Sequence, residues 1–436
     1  MGVLTKRVVL VSLAVGLSGA WDAVLARSLS DRLQDLVPVP AGGLATDDGS
    51  VAIDGAQLRT IENAIASVTT DAIQRIAIRG IDFPVVATVP GFSYVYNPTL
   101  QSIERSTQLG PVFSERAETL GKGHFQLGGS YLYANLDQVD GDDLGLITGS
   151  SAIAFDAATG TATFVDSRVR YDEFSIEHHI FNFSGTYGIT DRWDANVLVP
   201  LMYTQLNVRA GQQYALTSCS IANCTNTLQT LGATAERRVH ANGDAFGVGD
   251  LLVRTKYRFL DGPVNVASVL TVRVPTGSEE DFQGLGDTAI TPSIVAATQL
   301  GSRVSLYGNF GFEINADNTD RNRVRYALGG AFQALDRLAI LVDVIGSSSF
   351  VDDKFETISG NAQVVKNADG SSPNGFNLEP ADFTYSIARS DVVDVAVGAK
   401  MSLGAGATAY LGAIVPVTSD GIRAEVIPTG GIEVGF

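Results

Sequence analysis

Cysteine is nearly absent from this chain. Only Cys219 and Cys224, in "CSIANC", occur in 436 residues, alongside four histidines. Two thiolates with no neighbouring His fall short of a zinc cage, so no metal site is read here. In an exported chain the close pair suits a small surface disulfide instead. Positive charge is scarce as well. Lys+Arg number 30 against 47 Asp+Glu, and the net charge of −17 excludes a nucleic-acid partner, which would demand basic patches. Long apolar runs are also missing. Beyond the first residues, charged or polar side chains interrupt every apolar stretch, so no membrane-spanning helix is read. Yet 45% hydrophobic, 18% charged and Gly 46 is an odd balance for a soluble enzyme.

What is present begins with an export signal. In Met1–Ala26, Lys6 and Arg7 form a positive start, "VVLVSLAVGL" a short apolar centre, and "SGA" and "VLA" two small-residue cleavage sites. The apolar run is too short to anchor the chain across ~30 Å of hydrocarbon. Cleavage after Ala26 is preferred to cleavage after Ala20.

From Gly123 onward the chain is a series of period-two segments. "GDLLVRTKYRFL" sets Leu251, Val253, Tyr257 and Phe259 against Asp250, Arg254, Lys256 and Arg258. "RVSLYGNFGFEIN" sets Val304, Leu306, Phe310, Phe312 and Ile314 against Ser305, Tyr307, Asn309 and Glu313. Alternation alone also fits a soluble sandwich with an apolar core. Three features favour a membrane barrel. The segments run about ten residues or more, the length a tilted spanning strand needs. Aromatics such as Tyr131, Trp193, Tyr203 and Tyr257 gather near segment ends, as interfacial girdles do. Loops alternate between tight turns ("GITDR", "LDGP", "LGSR", "ALDR", "LGAGA") and the long stretches Asp137–Asp172, Ala210–Gly247 and Val351–Asp382.

The fold predicted is an all-β, about 12-stranded antiparallel transmembrane barrel. It follows a signal peptide (1–26) and a small, partly helical N-terminal segment (27–122), and occupies 123–436. Its strands are expected near 123–136, 174–188, 193–207, 248–260, 263–275, 287–300, 303–315, 323–334, 337–350, 383–402, 406–417 and 423–436. An even count puts both barrel ends on the short-turn, periplasmic side. The closing "GGIEVGF" alternates Ile432, Val434 and Phe436 on one face, as a last strand sealing the barrel with that face in lipid would. Such a C-terminal aromatic is the signal that barrel-assembly machinery reads.

Three prolines, Pro200, Pro275 and Pro416, fall late in upward strands at the outer rim. Proline cannot donate to a ladder, so each is expected at a bulge or at the end of pairing. "GVGD" and "GLGD" open downward strands at Asp250 and Asp287. Neither glycine motif precedes a helix pattern or a lysine, which rules out a phosphate cradle.

The chain resembles a family of outer-membrane barrels described as transporters linked to phenol (MetA-pathway) degradation. The resemblance runs from "LGPVFSERAETLGKGHFQLGGSYLY" through "GVGDLLVRTKYRF" and "LTVRVPTG…GLGDTAITPSIVA" to Phe436, and "PVFSERAETLGKG" is its most specific part. It implies a barrel and transport, and carries over no catalytic residue.

Within 27–122, "LRTIENAIASVTTDAIQRIAI" spaces Leu58, Ile61, Ile65, Val68, Ala72 and Ile76 as an amphipathic helix. "FSYVYNPTLQSIERS" suggests a hairpin around Asn97-Pro98. The helix could plug the barrel mouth, sit beneath it or meet a partner. The periplasmic side is preferred, because the chain joins the first strand there.

Some outer-membrane barrels hydrolyse lipids or peptides with Ser/His or Asp/His groups. Here His124, His178, His179 and His240 have no Ser or Asp at nucleophile–base spacing, and no catalytic residue or cofactor is assigned. "DQVDGDDLG" lacks the spaced ligands and closing Glu of a calcium loop and is read as a solvated surface loop. What remains is the lumen, lined by Arg254, Lys256, Arg258, Arg273, Glu313, Arg325, Asp343, Lys400 and Glu433. The cations Arg254, Lys256 and Arg258 are expected to meet Glu313, Asp287 or Glu433. The function expected is a narrow or gated channel for small, aromatic or apolar solutes, in contact with outer-membrane lipid and lipopolysaccharide. The alternatives are a structural or adhesive barrel acting through its loops, or an outer-membrane lipid hydrolase.

Overall fold

A computed structural model describes residues 27–33, 44–45, 52–53, 94–97, 102–105, 113–139, 142–143, 148–156, 161–220, 229–351, 354–359, 361–365, 377–379, 384–388, 391–404 and 406–436. The export signal, the helix expected over Leu58–Ile76, and Cys224, and with it the disulfide, lie outside these residues.

Twelve strands close an antiparallel barrel. They are β1 (Phe125–Val139), β2 (Thr161–Thr190), β3 (Trp193–Ser220), β4 (Leu251–Leu260), β5 (Val264–Val274), β6 (Ala289–Leu300), β7 (Val304–Asn315), β8 (Arg323–Leu335), β9 (Leu338–Ser349), β10 (Asp391–Gly404), β11 (Ala407–Pro416) and β12 (Ile427–Gly435). Each pairs with its sequence neighbour, as in Leu252↔Leu198 between β4 and β3 and Gly329↔Asp343 between β8 and β9. The seam joins β12 to β1, running from Thr429↔Leu132 to Gly435↔Gln126. The ladder continues one step further, because Phe436 N–H donates to Phe125 O at 2.7 Å and Phe125 N–H to Phe436 O at 3.2 Å.

Alternation sorts side chains by medium. Val253, Tyr257, Leu306, Phe310, Phe312, Val342, Leu411 and Ile432 are exposed on the outer wall, where lipid replaces water. The opposite parity, including Gln126, Asp194, Lys256, Arg273, Glu313, Asp343, Lys400 and Glu433, is buried inside. The interior is therefore the polar side, the reverse of a soluble sandwich.

Two of the three expected long loops are largely strand. β2 and β3 stay paired as far as Thr161↔Ser220, well beyond the segments expected to end near 174 and 207. Gln229–Val248 extends the sheet along the upper part of β3, and Thr148–Asp156 pairs with β2. In the tenth segment the barrel strand begins at Asp391 rather than at 383; Thr384–Ala388 pairs instead with Lys354–Ser359.

Two prolines stand at strand ends and one does not. Pro275 follows the last residue of β5, and Pro416 is the last of β11. Pro200 lies inside β3, paired opposite Asn182. It marks a change of partner on the other edge: β3 pairs with β4 up to Leu198, and with Gln229–Val248 from Leu201. At the junction Pro200 O accepts from Gly249 N–H at 2.9 Å.

Candidate functional site: an occluded lumen

The first strand is reached from inside the barrel. Phe113, Ser114, Arg116, Ala117, Glu118, Thr119 and Leu120 are all buried, and their partners descend the inner wall in order. Ser114 Oγ donates to Asp343 on β9, in space that Gly329 leaves open: a Cβ there would stand 2.0 Å from Asp343 Oδ1. Glu115 accepts Lys256 Nζ at 2.6 Å and faces Arg254 Nη1 at 3.7 Å. Glu118 pairs with Arg116 at 3.2 Å and accepts from Asn265 Nδ2 at 3.2 Å. Leu120 N–H donates to Asp194 at 2.8 Å, and Thr119 Oγ1 to Asp191 O, in the β2–β3 turn, at 2.7 Å. The chain then reverses into β1 through Gly121 (φ +91°) and Gly123 (φ +81°), backbone geometry that favours glycine. A Cβ at Gly188 would lie 1.8 Å from Gly121 O, so that wall position must be bare.

A second closure comes from the outer side. The β5–β6 connection folds inward, with Phe282 fully buried and Gln283 and Leu285 nearly so. Asp250 fastens it, accepting from Gly277 N–H at 3.1 Å and Leu285 N–H at 2.9 Å. Asp287 receives Arg321 from the next connection and Asn315 Nδ2 at 3.1 Å. The two rim aspartates thus pin loops. A short helix, Leu29–Leu33, sits against the same connection: Leu29 N–H donates to Asp281 at 3.1 Å and Ser30 N–H to Glu280 O at 3.0 Å.

Between the closures lies a cavity of about 270 Å³, touched by Phe113 and Glu115 of the lumen segment and by Gln283 and Leu285 of the folded-in connection. The expected lumen residues fall into separate groups around it. Glu313 gathers Arg273 at 3.4 Å, Arg323 at 3.5 Å and Arg325 at 2.5 Å. Lower down, Lys400 bonds Glu433 at 2.9 Å, and Thr408 Oγ1 supports that carboxylate at 3.3 Å. Arg423 pairs with Asp394. Arg254 and Lys256 meet Glu115 rather than Glu313, Asp287 or Glu433, and Arg258 pairs with Asp261 in the adjacent turn at 3.4 Å. The wall's alternation carries no information about a partner supplied by the interior segment. The signal for that segment was the run "PVFSERAET": acid, base and hydroxyl residues packed together without period two, just ahead of the first strand.

The histidines are dispersed. His178 is buried with Nδ1 3.2 Å from Thr204 Oγ1, while His179 sits among Tyr131, Tyr133 and Tyr203, its Nδ1 2.8 Å from Tyr131 Oη. His124 Nδ1 lies 3.2 Å from Phe436 O, and His240 is exposed.

With the fold and lumen described, the chain can be set beside known proteins. The model of the family described as "Putative MetA-pathway of phenol degradation" matches residues 141–334, so the family resemblance holds over "GVGDLLVRTKYRF" and "LTVRVPTG…GLGDTAITPSIVA", while "PVFSERAETLGKG" and Phe436 lie outside the match. No curated protein matches. Similar solved structures include an outer membrane channel from Pseudomonas putida F1, at 14% identity and a TM-score of 0.44, covering 73% of this chain and 98% of that one. The CymD monoaromatic hydrocarbon channel aligns at 8% identity and 0.33, covering 72% and 89%. The NanC porin aligns at 9% and 0.34, covering 71% and 98%.

Proposed function

We propose that this protein is an outer-membrane channel for small solutes with apolar bodies, gated by its own N-terminal segment. The observation that carries the reading is the narrowed lumen: a half-open cavity of about 270 Å³ touched by Phe113 and Glu115 of the lumen segment on one side and by Gln283 and Leu285 of the β5–β6 connection on the other. A permanently open porin would leave that space as solvent. A purely structural barrel has no need to keep it empty of side chains when a lumen of this size can be filled. The family match adds an association with aromatic degradation. Export by the Met1–Ala26 signal delivers the chain to the assembly machinery, which reads Phe436, and the finished wall contacts outer-membrane lipid and lipopolysaccharide. The role is conduction, without a catalytic group or cofactor. Liposome swelling tests it with small sugars and small aromatic alcohols, comparing the wild-type protein with a Ser114→Ala, Glu115→Ala variant. Slow passage through the wild type and faster passage through the variant are expected. Failure of both to pass any solute would overturn the channel.

A further inference from the structure

Behind the lumen segment the wall holds a second, smaller cavity. Two inward-facing rows cross β2–β4 there: Thr186↔Asn196↔Arg254, and beside it Gly188↔Asp194↔Lys256. All but bare Gly188, together with Glu115 and Val269, line a space of about 20 Å³. Asp194 and Asn196 are only 3% and 7% exposed. Asn196 Nδ2 donates to Thr186 Oγ1 at 2.9 Å and to Gly185 O at 3.1 Å, which fixes the amide and leaves Oδ1 for the cavity. Asp194 Oδ2 accepts from Leu120 N–H at 2.8 Å. Asp194 Oδ1 and Asn196 Oδ1 have no hydrogen-bond partner among the described residues.

Buried acceptors without partners are costly, and folded proteins satisfy most of them with protein groups or ordered water. A space holds a water when it exceeds roughly 10–15 Å³ and offers two to four polar partners. This one meets both conditions. Its two acceptors call for a donor of two hydrogens. Lys256 Nζ, bonded to Glu115 at 2.6 Å and to Glu118 O at 3.3 Å, has a third hydrogen to give in return. Charge favours a neutral occupant. Among the lining residues the carboxylates of Glu115 and Asp194 balance Arg254 and Lys256, so an added ion of either sign would meet its like.

We propose that this cavity is a binding site for one internal water, which donates to Asp194 Oδ1 and Asn196 Oδ1 and accepts from Lys256 Nζ. The water ties the wall to the lumen segment through groups the segment already uses, since Asp194 holds Leu120 and Lys256 holds Glu115. The segment therefore docks on a hydrated seat, and loss of the water loosens it. The site stands without the channel reading; its bearing on gating rests on that reading.

A crystal structure of the whole protein, at a resolution that shows ordered solvent, tests the site directly. The wild type should carry one solvent peak within hydrogen-bond reach of both Asp194 Oδ1 and Asn196 Oδ1. Asn196→Leu, similar in volume but without the oxygen, should lose it. No peak in the wild type, a side chain filling the space, or a peak with the short, many-oxygen coordination of a metal ion would overturn the proposal. Planar-bilayer recordings read the effect on the segment. Asn196→Leu should raise conductance at least about twofold, the equilibrium shift that one net hydrogen bond gives. Loss of the water with conductance unchanged would overturn the seat. Should the variant fail to fold, the wild-type peak still decides the site. A wild type that holds the water while no variant conducts removes the channel and leaves the site.

Discussion

The wall and the segment inside it obey different rules. Along β7, every outward residue from Leu306 to Ile314 that meets lipid is sorted by medium alone: it need only be apolar, and its neighbours on the same strand are interchangeable in kind. Along Phe113–Lys122 each residue has an assigned partner: Ser114 with Asp343, Glu115 with Lys256, Glu118 with Asn265, Leu120 with Asp194. A barrel wall is specified by pattern, and its occupant by individual contacts. Substitutions should therefore be judged by side of the wall in one region and by partner in the other.

The largest effect is expected where a partner is lost inside. Glu115→Ala removes the carboxylate that Arg254 and Lys256 share inside the lumen, a loss of about 3 kcal/mol by analogy with breaking other buried ion pairs. The segment should release, raising single-channel conductance in planar bilayers several-fold and lowering the temperature at which the barrel unfolds in detergent. Unchanged conductance would mean that Ser114 and Leu120 suffice to hold the segment.

On the wall the sign of the medium decides. Val342→Arg places a cation on the lipid face of β9, where the cost is roughly 2–4 kcal/mol near the bilayer midplane. Val342→Phe should be neutral. Folding yield into vesicles checks both. An Arg variant that folds as well as the Phe variant would show Val342 to lie outside the hydrocarbon.

Legibility followed the same division. Wall strands were readable because Phe310, Phe312 and Ile314 repeat at period two against Asn309 and Glu313, and that spacing admits one sorting. The partners of Glu115 were not, since nothing in "SERAE" states which strand it faces. Nor were the extensions of β2 and β3, since the Gly, Ser, Thr and Asp residues around them read as loop. Pro200 marks an end of pairing on one edge only: the ladder with β4 stops at Leu198 while the other edge continues to Ser220.

A smaller effect is expected at the seam. Phe436 contributes two backbone hydrogen bonds to Phe125, worth about 1 kcal/mol each at most in net terms. Its removal should lower the assembled yield more than the stability of barrels already folded, because the terminal aromatic is proposed to serve the assembly machinery as well. Heat-shifted gel mobility of whole envelopes, with purified refolded protein alongside, separates the two. Equal loss in both would remove the assembly role.

The smallest effect concerns the three cations two residues apart on β4. A common face led them to be expected as one group, yet the interior segment divides them. Lys256 is buried and bonds Glu115 and Glu118 O, the latter at 3.3 Å, so it belongs to the occupant. Arg258 reaches the periplasmic rim, where Asp261 is half exposed and Asp191 O accepts its guanidinium at 3.2 Å. An ion pair whose acid is half exposed to solvent contributes about 0.2–1 kcal/mol. Arg258→Ala should therefore shift the unfolding temperature by a degree or two at most, and leave conductance untouched. Lys256→Ala should change conductance in the direction of Glu115→Ala. If instead Arg258→Ala opens the channel as far as Lys256→Ala, the three cations act as one constriction, and the partner-by-partner rule fails for the lumen.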